Sequence, residues 1–584
     1  MHLRTQLAVI AAKAALATCH LAGRPGSSLP GRVALKINSG ILSALASGIR
    51  RGIIVTCGTN GKTTTNNLLC SALEAQGFRV VSNRLGANMI EGVTAALATS
   101  ADLSGHLDAD YACLEIDEAS AVHILQYLQP NYMLITNLFR DQLDRYGEID
   151  LTMKALENAI RLAPNMTLII NGDDPLTAYL ARESGHRVVS YGVSENVTDT
   201  SISDDAVGSS DISEVSGASN VSGVSSASNV SSGEVRESRF CENCGAPLHY
   251  DFYHFSQLGI YHCPSCGFAR PAINYDASDV KLSPQLSLIV RESNALDTTV
   301  DLSGNRGIVD DGSSDDRVVS YGGSSNDRRV ASGGSSDGHQ SNSPQIRISA
   351  PMTGFYNVYN ILAVYSVLRE LRLPTNKLND VLRTYKPQFG RGEVFHVGKN
   401  GGQKVLLNLA KNPAGFNQNI QAMLQDRSPK DLVIVINDNA QDGRDVSWLW
   451  DVDFDRLVDP TIRSITVSGK RALDMQLRLK YVEIESVCAP TVEEAIALSL
   501  KDGCDNLYVL VLSHLFMRLV HIIGGEIQVL TNFHNSTKRS ASRIITVDSQ
   551  DKERTTLFQK IICFTHTKNS FVKLNLSIDV DILP

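Results

Sequence analysis

The chain has 584 residues, 43% of them hydrophobic, which is enough for about three or four domains and too much for a single core. Its 54 Lys and Arg stand against 62 Asp and Glu, a net charge of −8, so no global basic field draws it to nucleic acid or to an acidic membrane surface. Partners have to be read from individual sites.

Residues 1–50 form an N-terminal segment in which an Ala-rich apolar run, 7–21, is interrupted by Lys13. A short amphipathic helix packed on the following domain is expected here. Leu16-Ala17-Thr18-Cys19 has some likeness to a lipoprotein cleavage site, but Thr18 is large for that role and the nucleotide motif downstream requires a cytoplasmic location.

Residues 51–65, RGIIVTCGTNGKTTT, run an apolar strand into a Gly-rich turn that ends in Lys-Thr. Gly58 and Gly61 allow backbone N–H groups to approach phosphates. Lys62 can reach the terminal phosphates, Thr63 can hold Mg²⁺, and the helix that follows presents its positive dipole end to the anion. Thr56 stands where the usual P-loop begins with Gly. Residues 66–76 carry helix-period apolar positions and Gly77 ends them.

Beyond this loop, apolar runs at 111–116, 132–136 and 166–170, with a helical pattern over 119–128, predict a doubly wound parallel sheet. Strand ends in such a sheet face the ligand. The first carries Glu115, a candidate Mg²⁺ ligand beside Thr63, followed by Asp117 and Glu118, whose simplest reading is a solvated helix cap. The next two carry the 136–147 segment and Asn171-Gly-Asp173-Asp174-Pro. Farther on, Asn357 and Asn360 open a helix, and Gly390-Arg391-Gly392-Glu393 closes the domain. Arg391 can clamp a phosphoryl group.

Two tracts rich in Ser, Gly, Asn and Val, 195–236 and 304–343, contain internal repeats such as SNVS at 219–222 and 228–231. They bury too little apolar surface to offset ordering entropy and are expected to be disordered insertions. Between them, within 238–275, Cys241-x-x-Cys244 and Cys263-x-x-Cys266 are separated by eighteen residues, the spacing of a four-cysteine zinc ribbon. Four thiolates leave no open coordination position, so the zinc is structural. A disulfide or a nucleic-acid role fits the reducing compartment and the sparse basic residues less well.

A second alternating unit has strands at 404–409, 432–437, 464–467 and 506–511 and predicts a smaller α/β domain over 397–530. The apolar stretch 507–530 holds His514, Arg518, His521 and Glu526 and reads as buried core, with no transmembrane segment. Residues 531–584 form an atypical tail without a recognisable motif.

The residues 58–64 (GTNGKTT), the Glu115 strand end, 171–175, the Asn357/Asn360 helix and 390–393 occur in the order found in Mur ligases and folylpolyglutamate synthases, and the chain resembles their central ATPase domain. The resemblance narrows at three departures. Gln142 replaces a His, residues 408–413 (NLAKNP) replace a different segment, and the ribbon interrupts the ATPase domain. These, with 409–418 and 437–453, resemble the ligase-like subunits of bacterial lipid II isoglutaminyl synthases, over about residues 30–192, 238–300 and 345–510.

The resemblance implies a P-loop ATPase domain spanning 51–396 with an inserted ribbon, and a smaller C-terminal domain. It also implies phosphorylation by ATP of the D-glutamate α-carboxylate in the lipid II stem peptide, then amidation by ammonia. ATP would lie on residues 58–64 (Gly58, Thr59, Asn60, Gly61, Lys62, Thr63, Thr64), Asn171, Asp173, Asn357, Asn360 and Arg391, with Mg²⁺ on Thr63 and Glu115. Lys62, Arg391 and Glu115 would be catalytic. The ammonia would come from a glutamine amidotransferase in a heterodimer, on which a carboxylate within 438–453, Asp445 for preference, would orient a catalytic His. Both Trp residues, Trp448 and Trp450, fall in that stretch. The expected location is the cytoplasm, with membrane contact only through a lipid-linked substrate. The residues leave open an amino-acid-adding ligase and a non-enzymatic scaffold.

Overall fold

The computed structural model describes residues 2–22, 26–84, 87–140, 149–194, 238–282, 285–293, 345–386, 391–397, 402–439, 443–501, 503 and 505–512. The two insertions 195–236 and 304–343, Gln142, Gly390 and the chain from 513 onward, with its tail 531–584, lie outside the described residues.

Among the described residues, nine strands form the first sheet, in the order β11-β10-β9-β6-β5-β4-β1-β3-β2. In chain order they are β1 (Ile49–Cys57), β2 (Val80–Ser82), β3 (Ala109–Glu115), β4 (Tyr132–Ile135), β5 (Thr167–Asn171), β6 (Arg187–Val193), β9 (Tyr275–Lys281), β10 (Leu286–Glu292) and β11 (Gln345–Ala350). All pairings from β2 through β9 are parallel. Only β10 runs antiparallel, between β9 and β11. The expected doubly wound parallel sheet is therefore extended by a meander that periodicity had not marked, because YDASDVK in β9 places two Asp inside a strand.

The central strands are apolar on both faces, as burial beneath two helical layers requires. One layer holds α4 (Lys62–Glu74), α9 (Tyr356–Glu370) and α10 (Leu378–Thr384), and shares a core with Ile54, Cys113, Leu134 and Ile169. The other face carries α5 (Ile90–Ser100), α6 (Ala121–Leu125), α7 (Ile149–Arg161) and α8 (Pro175–Arg182). Here the N-terminal helices α1 (His2–Leu21), α2 (Leu29–Ile37) and α3 (Ile41–Ala46) add Ala8, Val9, Ala34 and Ile41 to the same core. Gly31 allows α2 to touch α5 backbone to backbone, since a Cβ there would lie 1.8 Å from the Glu91 carbonyl oxygen. α1 departs from the expected short amphipathic helix. It is 20 residues long and apolar on its outer face as well, with Leu3, Leu7 and Ile10 exposed.

The ribbon is a hairpin, β7 (His249–Phe255) and β8 (Leu258–His262), with one Cys pair at each end of its chain segment. Its exit leads directly into β9.

The second sheet has the order β12-β13-β17-β14-β15-β16. It comprises β12 (Arg391–Val397), β13 (Gln403–Leu409), β14 (Lys430–Val435), β15 (Ile462–Ser468), β16 (Val487–Cys488) and β17 (Asn506–Val511). β12 pairs antiparallel with β13 and the remaining pairs are parallel. Helices α11 (Pro413–Leu424), α12 (Ala472–Tyr481) and α13 (Val492–Lys501) accompany this sheet. The second domain thus begins at Arg391 rather than at 397, because β12 bonds to β13 and not to the first sheet.

Candidate active site

β1 carries the chain to the turn at 58–61, and α4 starts at Lys62 with Gly61 as its N-cap. Gly58 and Gly61 have φ of 116° and 83°, conformations that favour Gly. They also lack room for a side chain. A Cβ on Gly58 would stand 2.4 Å from Thr136 Oγ1, and one on Gly61 would stand 2.4 Å from Asn360 Oδ1. The first turn of a helix such as α4 leaves its amides without intrahelical partners, the arrangement that binds phosphate.

The turn is held by the end of β4. Asn60 N donates to Asn137 Oδ1 at 2.9 Å, Thr59 N donates to the Asn137 carbonyl at 2.8 Å, and Phe139 N donates to Thr59 Oγ1 at 2.9 Å. From α9, Asn360 Oδ1 accepts from Thr65 Oγ1 at 3.1 Å, and Asn360 Nδ2 donates to Asn357 Oδ1 at 3.0 Å. Asn357 and Asn360 therefore brace the loop from above, and Thr64 is buried in the first turn of α4.

Lys62 is buried, its ammonium 2.8 Å from Glu118 Oε1 and also donating to the Gly58 carbonyl. Burial pulls its pKa down, but Glu118, Cys57 and Glu115 more than offset this and raise it. Glu118 Oε1 further accepts from Gly58 N at 2.9 Å. Asp117 and Glu118 are only 4% and 5% exposed, which corrects their reading as solvated; Asp117 still caps the turn, accepting from Ala119 N and Ser120 N at 3.1 and 3.3 Å, whereas Glu118 pairs with Lys62. Removing either partner of such a buried pair strands a charge.

Thr63 Oγ1 donates to Glu115 Oε2 at 2.5 Å. Glu115 is fixed through its backbone by Asn83, whose side chain accepts from Glu115 N and donates to Glu115 O at 2.9 and 2.7 Å. A hydroxyl and a carboxylate side by side next to a phosphate cradle suit Mg²⁺, which takes few protein oxygens and completes its shell with phosphate and water.

At the end of β5, Asn171 Oδ1 accepts from Asp173 N at 3.1 Å while its Nδ2 is buried without a partner, an unspent donor at the strand end. Asp173 is occupied differently. Fully buried, it accepts from Arg270 Nε, Tyr359 OH and Val193 N at 2.6, 2.8 and 2.8 Å. Its carboxylate ties the ribbon's exit to α9. Asp174 caps α8 and accepts from Leu138 N at 2.7 Å.

The second domain closes the crevice. Asn60 and Asn412, the N-cap of α11, exchange side-chain amide bonds of 3.4 and 3.2 Å, and Arg140 pairs with Asp451 at 3.6 Å. Arg391, at the start of β12, is lowered in pKa by burial while Glu115 and Tyr385 push it up. It thereby places a guanidinium from the second domain in the field of Glu115.

In the ribbon the four Sγ atoms lie within 4.8 Å of one another, with Cys241 to Cys266 at 3.6 Å and Cys244 to Cys263 at 3.5 Å. A tetrahedral Zn²⁺ at about 2.3 Å from each sulfur brings sulfurs to nearly this separation. Gly245 and Gly267, each following a second Cys, adopt φ of 72° and 74°, so the two knuckles repeat one turn geometry. The four thiols fit Zn²⁺. His254 is not a ligand; it stacks on Phe355 at 4.7 Å, and burial lowers its pKa. The hairpin turn reaches the crevice, where Gln257 Nε2 donates to the Leu138 carbonyl at 2.6 Å and to Asp174 Oδ1 at 3.3 Å. Sequence reasoning missed Gln257 and Asn83; Asn137 was marked only as part of the 136–147 strand end and Asn412 only within 408–413, where Asn-Pro at 412–413 is an N-cap pattern.

Asp445 is bonded within its own loop. It accepts from Ser447 N and Oγ at 2.8 and 2.9 Å, ahead of the 3₁₀ helix Ser447–Asp451. That helix divides the two Trp residues. Trp448 is core, 5.4 Å from Phe416, whereas Trp450 is 51% exposed and meets Tyr481 edge-on at 5.0 Å. Leu473, Leu477 and Tyr481 continue an exposed apolar row along α12. Of the two Trp residues in this stretch, only Trp450 stands exposed.

Family models match the Mur ligase middle domain over residues 55–232 and the MurT ligase C-terminal domain over residues 409–512. Among solved structures, a pseudomurein peptide ligase type C from Methanothermus fervidus has a TM-score of 0.53 at 20% identity, covering 82% of this chain and 80% of that one. MurF from Thermotoga maritima in complex with ADP has a TM-score of 0.51 at 11% identity, covering 86% and 84%. These two share the fold. Curated relatives named lipid II isoglutaminyl synthase (glutamine-hydrolyzing) subunit MurT match more fully. The Staphylococcus aureus (strain COL) protein is 32% identical over 483 residues, 83% of this chain and 89% of the relative. The Streptococcus pneumoniae protein is 30% identical over 513 residues, 87% and 95%. With both domains of the Mur ligase fold, the phosphate loop and the inserted four-cysteine ribbon in one chain, this protein belongs to the MurT family.

Proposed function

We propose that this chain is the ATP-dependent ligase subunit of a lipid II-amidating enzyme, activating the α-carboxylate of the stem-peptide D-glutamate for amidation to D-isoglutamine. The observation that carries the reading is the convergence of Lys62, the Thr63–Glu115 pair and Arg391 at one phosphate cradle. Three of these groups come from the first domain and one from the second. Bound phosphate would draw Lys62 from Glu118 and the Gly58 carbonyl, leaving Glu118 its bond from Gly58 N. Mg²⁺ on Thr63 and Glu115 would neutralise phosphate charge. Asn171 Nδ2 is an unspent donor for the base, and Arg391 would stabilise charge on the transferring phosphoryl group.

In the reaction, a carboxylate oxygen attacks the γ-phosphorus and ADP leaves, giving an acyl phosphate. Ammonia then attacks the acyl carbon and inorganic phosphate leaves. Closing the second domain on the loop through Asn60–Asn412 and Arg140–Asp451 would exclude water, which would otherwise hydrolyse the acyl phosphate.

The ammonia source is a separate glutaminase. The exposed Trp450, Tyr481, Leu477 and Leu473 row suits a protein partner, because aromatic side chains are enriched at interface hot spots. Asp445, in the same loop as Trp450, would orient the partner's catalytic His.

The test is amidation by the reconstituted pair, with product mass separating amidation from amino-acid addition. Lys62→Ala should lower amidation by about 10³-fold while the two chains still co-elute. Near-normal amidation in that variant would overturn the assignment of the cradle.

A further inference from the structure

Along α1, Leu3, Leu7, Ile10, Ala14, Ala17 and Leu21 recur at alternating steps of four and three residues, which places them on one face of a helix. All six are exposed or half-buried, with Leu3 at 68%, Leu7 at 51%, Ile10 at 46% and Leu21 at 90% exposure. The opposite face supplies Ala8, Val9 and Ala12 to the core. An outer stripe about 27 Å long at 1.5 Å per residue is larger than the isolated exposed apolar residues normal on a soluble surface.

The charge around the stripe is one-sided. Residues 1–50 contain six Lys and Arg and no Asp or Glu, in a chain whose net charge is −8. Arg4, Arg32 and Lys36 are exposed. Asn38 Nδ2 donates to Thr5 Oγ1 at 3.1 Å, which brings Lys36 and the exposed Ile37 to the Leu3 end of α1. The nearest acids belong to elements beneath, Glu91 on α5 and Asp102 in the turn that touches Thr5 and Gln6.

We propose that the outer face of α1, with Arg4, Arg32 and Lys36 around it, docks the protein on an anionic lipid bilayer. Aliphatic side chains would enter the boundary between headgroups and acyl chains, while the basic residues meet anionic headgroups. Among the described residues no helix is long and apolar enough to span a membrane, so the contact lies in the plane of the interface. The stripe is purely aliphatic, whereas protein interfaces favour aromatic anchors, and the 1–50 segment that carries it has basic residues and no acid, which complements an anionic lipid surface.

Vesicle sedimentation of the full chain tests this, using phosphatidylcholine alone and phosphatidylcholine with about 30% phosphatidylglycerol as the anionic component. The protein should pellet with the anionic vesicles, less so at high salt, and stay in solution with the neutral ones. Leu7→Glu/Ile10→Glu should weaken binding by about tenfold or more. Arg32→Glu/Lys36→Glu, which leaves the apolar stripe intact, should weaken it in the same direction. Both variants should melt with the parent and retain ATP binding. Equal binding to both vesicle types, no binding by the parent, or undiminished binding by Leu7→Glu/Ile10→Glu overturns the proposal. A change in oligomeric state or loss of the glutaminase in that variant, without vesicle binding by the parent, assigns the face to a protein and overturns it too. The vesicles carry no substrate, so this outcome is independent of the amidation reading.

Discussion

Around Lys62 the polar side chains are buried and bonded to one another, whereas around Trp450 large apolar side chains stand in solvent. In the crevice, Glu118, Glu115, Asn83 and Asn137 are each less than a tenth exposed. On the outer face of the second domain, Leu473 and Tyr481 are 71% and 69% exposed. The difference matches what each surface would receive under the proposed function. A small charged ligand needs preorganised donors whose pairing is already satisfied or exchangeable, while a protein partner needs apolar surface that it can cover. Arg478 links the styles within the second domain: it lies 5.5 Å from the Trp450 ring and donates to the Leu449 and Val452 carbonyls, so the exposed aromatic stands on a rigid base.

Substitution on the outer face should separate assembly from chemistry most sharply. Leu477→Glu places a charge in the middle of the apolar row and is expected to cost about 2 kcal/mol or more of association with the glutaminase, leaving ATP binding unchanged. Asp445→Asn is the complementary case. Assembly and ATP binding should persist while glutamine hydrolysis by the complex falls by about 10²-fold or more, as expected when a catalytic imidazole loses its orienting carboxylate. Co-elution, equilibrium ATP binding and glutaminase turnover read the three properties separately. If Leu477→Glu assembles normally, the outer face is not the interface; unchanged turnover in Asp445→Asn removes Asp445 from the partner's triad.

Local sequence made the crevice visible where chemistry is local. The turn at 58–61 needs two Gly with positive φ, a Lys and a Thr in succession, and the ribbon needs only two Cys pairs at a fixed spacing. The strands flanking the crevice were legible because they are buried on both faces and therefore continuously apolar. What was not legible depends on distant chain segments meeting. Glu118 looks like a cap until Lys62, 56 positions away, is brought to it. Gln257 has no signal in a hairpin turn, yet it bonds to Leu138, 119 positions earlier. Asn60 and Asn412 meet across 352 positions. The outer face of α1 was hidden for another reason: its inner and outer residues are both apolar, so periodicity could not tell a packed face from an exposed one.

A smaller effect should join the ribbon to the crevice. The path runs from the four-cysteine cluster through the hairpin to Gln257 on the Leu138 carbonyl, and from Phe255 to the Phe139 ring at 6.3 Å. Phe139 N in turn donates to Thr59 Oγ1 in the phosphate loop. Cys244→Ser should reduce bound zinc, measured by elemental mass spectrometry, and weaken ATP binding by about tenfold, a typical coupling between sites. Normal ATP affinity in zinc-depleted protein would make the ribbon an independent module and break its connection with the inward-facing site.

The last expected effect is a change in slope with pH. Burial pushes the Asp174 carboxyl up to about 7 from an ordinary 3.8, with Leu138 N, Gln257 and Leu176 N drawing it back. Between those two values the folded state holds a proton that the unfolded state has released. This group therefore favours folding most at about pH 4 and below, and its contribution declines as pH rises to about 7. At 1.36 kcal/mol per unit, the decline is at most about 4 kcal/mol. Asp110, Asp426 and Asp459 are lowered in pKa and carry the opposite sign, since their stabilisation is lost as pH falls. The whole-protein curve mixes these, and Asp174→Asn isolates one of them. The amide cannot ionise, and its NH₂ facing a backbone N–H adds a cost that does not vary with pH. The variant's stability relative to the parent should therefore rise between about pH 4 and pH 7 in denaturation measurements, whichever protein is more stable at the start. Parallel curves would show that the three converging donors keep Asp174 ionised throughout, making it a carboxylate tie like Asp173.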